Sequence, residues 1–378
     1  MTGLLGRAQV LREYGAPFET VDYPVPEPEA GALVVAMDVA SVCASDVHAW
    51  RGAYAGVIPG ALPVILGHEG VGRIVAIGSG AHRDSLGTVL APGDRVVWTP
   101  EPCMSCWVCT IDKEPAACPD KSIGMFTSSD EWPHFHGTFG EYSYVRPRAG
   151  RVRVPDDVKS SWASAASCAM RTVVKAVEKA GRIDHTDAVV VQGAGPLGLF
   201  ATAMLSTHHP RRLVVIGAPD ERLAVADAWG ATDTVSIETH PTPEARIEAV
   251  RSLTDGRGAS VVLEAAGLPG VVTEGLEMVA RNGRYVIVGS AAGRPQSIPA
   301  HRIVNRELTL IGSFSGGVDA YFKALDFMRV HRDRFDWDRA IGASYRLDEV
   351  SYALDAMGGH RDVKPLIVAY DNTSTFRS

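Results

Sequence analysis

Between residues 188 and 311 six short apolar runs (188–191, 213–216, 234–237, 261–264, 284–288 and 308–311) alternate with stretches of helical period such as 222–229 and 271–281. Neighbouring strands that run parallel need a crossover between them, and a helix is its usual form. The alternation therefore predicts an α/β fold built on a parallel, doubly wound sheet. The first run, AVVV, passes through Gln192 into Gly193-Ala194-Gly195-Pro196-Leu197-Gly198 and on into the helical segment LFATAML. In a chain with 38 glycines among 378 residues, a G-x-G-x-x-G alone carries little weight. Between a strand and a helix it carries more, because its glycines allow a tight turn and bring backbone N–H groups close to a pyrophosphate. Gly193, Gly195, Pro196, Leu197 and Gly198 are the expected dinucleotide cradle.

A carboxylate at the end of the second strand ordinarily accepts hydrogen bonds from the adenosine ribose of NAD. Here that strand ends at Gly217-Ala218-Pro219, and Asp220 and Glu221 read as the first turn of the next helix. Without the carboxylate a 2′-phosphate meets no repulsion, and Arg222 follows closely. The expected cofactor is NAD(H) or NADP(H), leaning to NADP.

The part before residue 160 has a different texture. Segments 32–40, 71–77 and 94–98 are β-branched or apolar and glycine-punctuated, and the proline-spaced Pro24-Val25-Pro26-Glu27-Pro28 cannot be helical. They predict a barrel-like β domain, and a length of 378 residues suits two domains. The closing part ends in an apolar strand at 365–369. Four arginines between 146 and 153 read as a charged strand edge.

Six cysteines occur, four of them as Cys103-x2-Cys106-x2-Cys109-x8-Cys118. Four thiolates in one short loop suit a tetrahedral structural zinc. The remaining two stand apart, Cys43 in Cys43-Ala44-Ser45-Asp46-Val47-His48 and Cys168 in SCAMRT, while His68-Glu69 lies in GHEGVG. A catalytic zinc takes about three protein ligands and keeps an open position; Cys43, His68 and Cys168 meet that number.

These motifs, with PVPEP, PGDRV, GEY and the closing VKPLIV, make the chain resemble the zinc-dependent, alcohol dehydrogenase-like medium-chain dehydrogenase/reductase superfamily over essentially its whole length. The resemblance implies a GroES-like catalytic domain at 1–169, with a zinc lobe near 100–120, completed by 313–378 and joined to a Rossmann domain at 170–312. It implies two zincs per chain: a catalytic ion on Cys43, His68 and Cys168 with Glu69 beside it, and a structural ion in the four-cysteine lobe. By the same resemblance Asp46 orients the histidine ligand, Ser45 hydrogen-bonds the substrate hydroxyl, and His48 relays its proton. Thr172 would lie near the nicotinamide and Lys364 would meet the pyrophosphate. Two departures stand out. The last cysteine spacing is one residue longer than is usual in the family, and Gly217 replaces the carboxylate.

The implied reaction is reversible oxidation of a small alcohol to a carbonyl compound. A secondary hydroxyl on a polyol- or cyclitol-like substrate is favoured, with a primary alcohol also open. Trp50, Tyr54 and the segment 126–139, including His136, are candidate pocket walls, the alternative for the segment being an exposed loop. Arg171 is expected to greet an anionic group or to occupy a solvated helix position. A zinc-free quinone or enone reductase, or a silent nucleotide-binding member of the same fold, are the rival readings; each would be expected to lack part of the ligand and relay set. A net charge of −7 argues against a nucleic-acid partner. The lack of a long apolar run argues against a membrane span. With no signal-like N-terminus the cytoplasm is the expected compartment, and the family implies a homodimer or homotetramer.

Overall fold

The structure, a computed structural model, describes residues 3–56, 62–289, 295 and 297–369. The chain divides into two compact units, one of Met1–Cys168, Gly316–Arg332 and Trp337–Ser378, the other of Ala169–Ser315 and Asp333–Asp336.

The first unit is built on a sheet in the order Ser344–Arg346, Leu366–Val368, Leu33–Ser41, Glu69–Ile77, Arg95–Trp98 and Arg151–Arg153, with Tyr142–Val145 also paired to Leu33–Ser41. Leu33–Ser41 is buried along its length except at Asp38, which explains a continuous apolar run rather than an alternating one. Asp38 takes a hydrogen bond from Arg73 Nε at 2.9 Å, so its charge is compensated. The late strand Leu366–Val368 pairs antiparallel with this early one, Leu366 opposite Ser41. Sequence-distant residues such as Lys364 are thereby brought to the end of the strand that precedes Cys43.

The second unit holds six parallel strands in the order Asp233–Ser236, Arg212–Gly217, Ala188–Gln192, Ala259–Glu264, Val279–Ile287 and Thr309–Gly312. Strand order reverses beside Ala188–Gln192, and Gly193–Gly198 follows the C-terminal end of that strand, the place where doubly wound sheets bind ligands. Helix Asp220–Ala228 carries Asp220 and Glu221 in its first turn. The helix expected over 271–281 stops at Met278, because Val279 pairs with Ala259 and begins the next strand. Among the described residues no helix is long and apolar enough to cross a membrane.

The arginine run does not form one edge. Arg151 and Arg153 lie on the terminal strand of the sheet, whereas Arg148 bonds Glu101 and Arg146 lines a cavity. After Val145 the chain leaves the sheet through a turn that carries Arg146 and Arg148, and it rejoins the sheet at Arg151.

Candidate active site and metal centres

Cys43 occupies the cap position of helix Ala44–Trp50, and its backbone N–H donates to Asp46 Oδ2 at 2.9 Å. Asp46 Oδ1 lies 3.0 Å from His68 Nδ1. One fully buried carboxylate therefore fixes both the helix start that presents Cys43 and the ring of His68. With Nδ1–H directed at Asp46, His68 turns Nε2 to Cys168 Sγ, 3.5 Å away. Gly67 makes the approach possible: its φ is +89°, and a Cβ there would stand 2.3 Å from Thr138 Oγ1.

Cys168 sits in a π-helical turn, Ala166–Met170, a form often found at functional sites. Ser164, just before it, accepts the Ser41 N–H at 2.8 Å and donates to the Glu69 carbonyl at 3.0 Å. That hydroxyl pins the helical segment to both strands that lead to the cluster. Sequence reading missed it, since one serine in an Ala/Ser-rich helix carries no local signal.

The ligand atoms of Cys43, His68, Glu69 and Cys168 all lie within 4.8 Å of one another. A sulfur and an imidazole nitrogen on one tetrahedral zinc stand about 3.5 Å apart, given bonds of about 2.3 and 2.0–2.1 Å, as Cys168 and His68 do here. Without an ion the three groups share protons through their hydrogen bonds. The hydrogen bond from Cys43, aided by His68 and opposed by burial, holds Cys168 well below the usual thiol range. Cys43, hydrogen-bonded to Cys168 and buried, is pushed up to about 12. Burial works against the charge on His68, but Asp46 and Cys168 together keep its pKa well above the ordinary value. Glu69 is 0% exposed, and its Oε1 has no hydrogen-bond partner among the described residues. A thiolate, an imidazole nitrogen and an unpartnered carboxylate oxygen converge in a buried site, a donor set that fits zinc.

Lys364 has a partner that sequence reading did not foresee. It is 1% exposed and its ammonium is ion-paired with Glu69 Oε2, beside the cluster. Burial pushes the Glu69 carboxyl up, and Lys364 pulls it back. Trp50 departs from expectation. Its indole N–H donates to the Ala16 carbonyl at 2.8 Å, and the ring is part of the hydrophobic core, not of a pocket wall. Tyr54 does face a cavity, with Leu11, Leu62, Met125 and Phe126. Its ring meets His48 edge-on at 6.5 Å, and its hydroxyl is hydrogen-bonded to Ser45.

In the segment 126–139, Phe135 is core and Trp132 is 56% exposed. His136 is buried and lines a second, more polar cavity that also touches His68, Thr99 and Arg146. Arg146 donates to its Nδ1 at 3.2 Å, so Nε2–H donates to the Glu131 carbonyl at 3.1 Å and the ring is neutral. Burial, reinforced by Arg146, lowers its pKa from 6.5 to about 4. The unfolded chain thus binds more proton than the folded one between those values, and stability rises with pH there. The contribution is full above pH 6.5 and is lost as pH falls towards 4, about 2 kcal/mol of it between pH 7 and 5. Urea unfolding of wild type and His136→Gln at both pH values should show that much less pH dependence in the variant. Parallel pH profiles would contradict the assignment.

The four cysteines of the lobe form a second cluster. Their Sγ–Sγ distances include 3.5 Å (Cys103–Cys118), 3.9 Å (Cys106–Cys118) and 4.0 Å (Cys103–Cys109). Sulfurs on one tetrahedral zinc stand about 3.8 Å apart, and all these separations are far beyond a disulfide bond. Backbone N–H groups of Ser105 and Cys106 point at Cys103 Sγ at 3.5 and 3.3 Å and hold its pKa at about 6. Within the last spacing, Pro115–Ala117 forms a short turn that leads into Cys118.

In the second unit Gly195 caps helix Pro196–Ser206, and a Cβ there would meet nothing within 4 Å. Open space in front of a helix N-terminus suits a pyrophosphate. Gly198 has no such room: its Cβ would lie 1.7 Å from the Gly193 carbonyl oxygen, so helix and loop touch through backbone. Gly217 packs against Ala194, where a Cβ would come to 2.5 Å. Leu197 lies in the first turn of the same helix, Arg222 is half-buried on helix Asp220–Ala228, and Thr172 is 9% exposed on helix Arg171–Ala180. Arg171 is not solvated: it is 4% exposed and donates to Ser315 Oγ. Sequence reading also missed Glu264, whose carboxylate accepts the Gly267 and Gly289 N–H groups at 2.6 and 3.0 Å and ties two loops beyond the strands.

Comparison with known proteins agrees with this geometry. Residues 29–156 match the alcohol dehydrogenase GroES-like domain, and residues 196–329 match the zinc-binding dehydrogenase family. The 5-exo-hydroxycamphor dehydrogenase of Pseudomonas putida is 33% identical over 96% of this chain and 98% of its own. The chain belongs to the zinc-dependent alcohol dehydrogenases of the medium-chain dehydrogenase/reductase superfamily. The D-xylulose reductase of Scheffersomyces stipitis is 31% identical over 93% of this chain and 94% of its own. A crystal structure of an alcohol dehydrogenase from Thermotoga maritima superposes with a TM-score of 0.88, at 29% identity, over 97% of this chain and all of that one. As a member of this family the chain is an oxidoreductase acting on CH–OH groups of small alcohols, with zinc and a nicotinamide dinucleotide as cofactors.

Proposed function

We propose that this dehydrogenase interconverts a secondary alcohol and its ketone, with the chemistry centred on Cys43, His68 and Cys168. The observation that carries this is the buried convergence of those ligand atoms with Glu69, all within 4.8 Å. Zinc held there supplies Lewis acidity that makes a substrate hydroxyl more acidic. Ser45 accepts the substrate proton and passes it to His48, one turn further along the same helix; the half-buried ring of His48 delivers it to water. Asp46 keeps the His68 ring oriented throughout. The four-cysteine lobe holds a second, structural zinc. Segments 1–169 and 313–378 form the catalytic domain and 170–312 the nucleotide domain, where Gly193–Gly198 receives the pyrophosphate and Thr172 approaches the nicotinamide. The absence of a carboxylate after Ile216 leaves room for NADP(H) beside NAD(H). The enzyme works in the cytoplasm as a homodimer or homotetramer.

Metal analysis together with a panel of alcohols and ketones tests this. We expect two zincs per chain and a change in nicotinamide absorbance with secondary alcohols, read separately with NAD and NADP. One zinc per chain, or no absorbance change with any alcohol or ketone, would reject the reading.

A further inference from the structure

The cavity that His136 shares with His68 has an unbalanced charge. Besides these two it is lined by Thr99, Glu101, Thr138 and Arg146, among others. Glu101 is already compensated: its Oε1 accepts the Arg148 backbone N–H at 3.1 Å and lies 3.5 Å from the Arg148 guanidinium. His136 is neutral and is held between Arg146 and the Glu131 carbonyl. His68 faces Asp46. Arg146 is half-buried, yet among the described residues it makes no ion pair with a carboxylate. Beside it in the cavity wall, Thr138 Oγ1 is buried without a hydrogen-bond partner among the described residues. A partly desolvated guanidinium is costly without an anion. Its planar fork of five N–H donors matches a carboxylate or a phosphate, and its contact with His136 engages one nitrogen only.

We propose that Arg146 is the specificity residue of this alcohol site and that the substrate is a hydroxy compound carrying an anionic oxygen group, a carboxylate or a phosphate, which Arg146 receives. His136 acts as a positioning residue, taking a hydrogen bond from one guanidinium nitrogen so that the others face the cavity. The inference rests on the alcohol dehydrogenase reading and narrows it from alcohols in general to hydroxy acids or hydroxyalkyl phosphates.

The test compares kcat/KM within two matched pairs on the zinc-loaded enzyme, 3-hydroxybutyrate against its methyl ester and glycerol 3-phosphate against glycerol. At least a tenfold preference for the anionic member is expected in one pair, and the pair that shows it identifies the anion. In Arg146→Met that ratio falls towards one, chiefly through KM, and Arg146→Lys keeps part of it. Calorimetric titration with acetate and with inorganic phosphate gives a readout independent of turnover: binding in the wild type, lost in Arg146→Met. Equal kcat/KM within both pairs, or a ratio that survives Arg146→Met, overturns the proposal while the dehydrogenase reading stands. Absence of turnover across these and the wider alcohol panel defeats the dehydrogenase reading instead, and the titrations then decide the anion site by themselves.

Discussion

Cys43→Ser should lower kcat/KM about a thousandfold and reduce the zinc content from two ions per chain to one, with the fold intact. The physical basis is the donor set. A serine hydroxyl has nearly the shape of the thiol but does not give up its proton to a metal as a thiol does, so the site loses one of its two sulfur donors. Lewis-acid assistance is worth several kcal/mol of barrier, and each 1.36 kcal/mol is a factor of ten in rate, which gives the thousandfold. The cap should survive because it uses the backbone N–H of residue 43 and Asp46 Oδ2, neither of which is altered. Atomic absorption, steady-state rates and circular dichroism read the three parts separately. Two retained zincs with undiminished turnover would remove Cys43 from the ligand set.

Lys364→Met should destabilise the protein by about 3–5 kcal/mol, the usual cost of removing one partner from a buried ion pair. Lys364 is 1% exposed and Glu69 0%, so no water is at hand to take over. Glu69 would be left with neither oxygen paired, since Oε1 already has no hydrogen-bond partner among the described residues, and without the ammonium that pulls its pKa back it would have to take up a proton in a buried site. The double variant Lys364→Met/Glu69→Gln should recover most of the loss, because a neutral amide no longer needs a cation. Urea unfolding of the wild type, both single variants and the double variant completes the cycle. If the double variant is as unstable as Lys364→Met alone, the loss comes from packing of the lysine stem and not from the pair.

Much of the site was legible because its residues are close in sequence. The lobe cysteines fall within one loop, Cys43 to His48 lie on one short helix, and the glycines of the nucleotide cradle follow one strand. Spacing alone ties such groups together. What sequence reading did not foresee concerns residues whose neighbours are distant in the chain. Trp50 follows the relay histidine by two positions, but on a helix that offset turns its ring away, to the core and the Ala16 carbonyl. Lys364 is nearly 300 residues from Glu69, and their pairing depends on the antiparallel register of Leu366 with Ser41. Arg146 sits among three other arginines with no local mark of difference. Its role depends on Glu101 being claimed by Arg148 and on His136 standing opposite.

The alternation of apolar runs and helices was enough by itself to determine a parallel α/β sheet with a nucleotide loop at its first strand, since that periodicity is a property of consecutive residues. The candidate donors of the four-cysteine lobe likewise followed from residue type and spacing, whereas Cys43, His68 and Cys168 were grouped only by the resemblance to the family. What a buried charge pairs with was decided only by tertiary structure. Ion pairing acts over a few ångströms in space, whatever the separation along the chain. In this protein that difference sets Glu69 against Lys364 and leaves Arg146 facing a cavity.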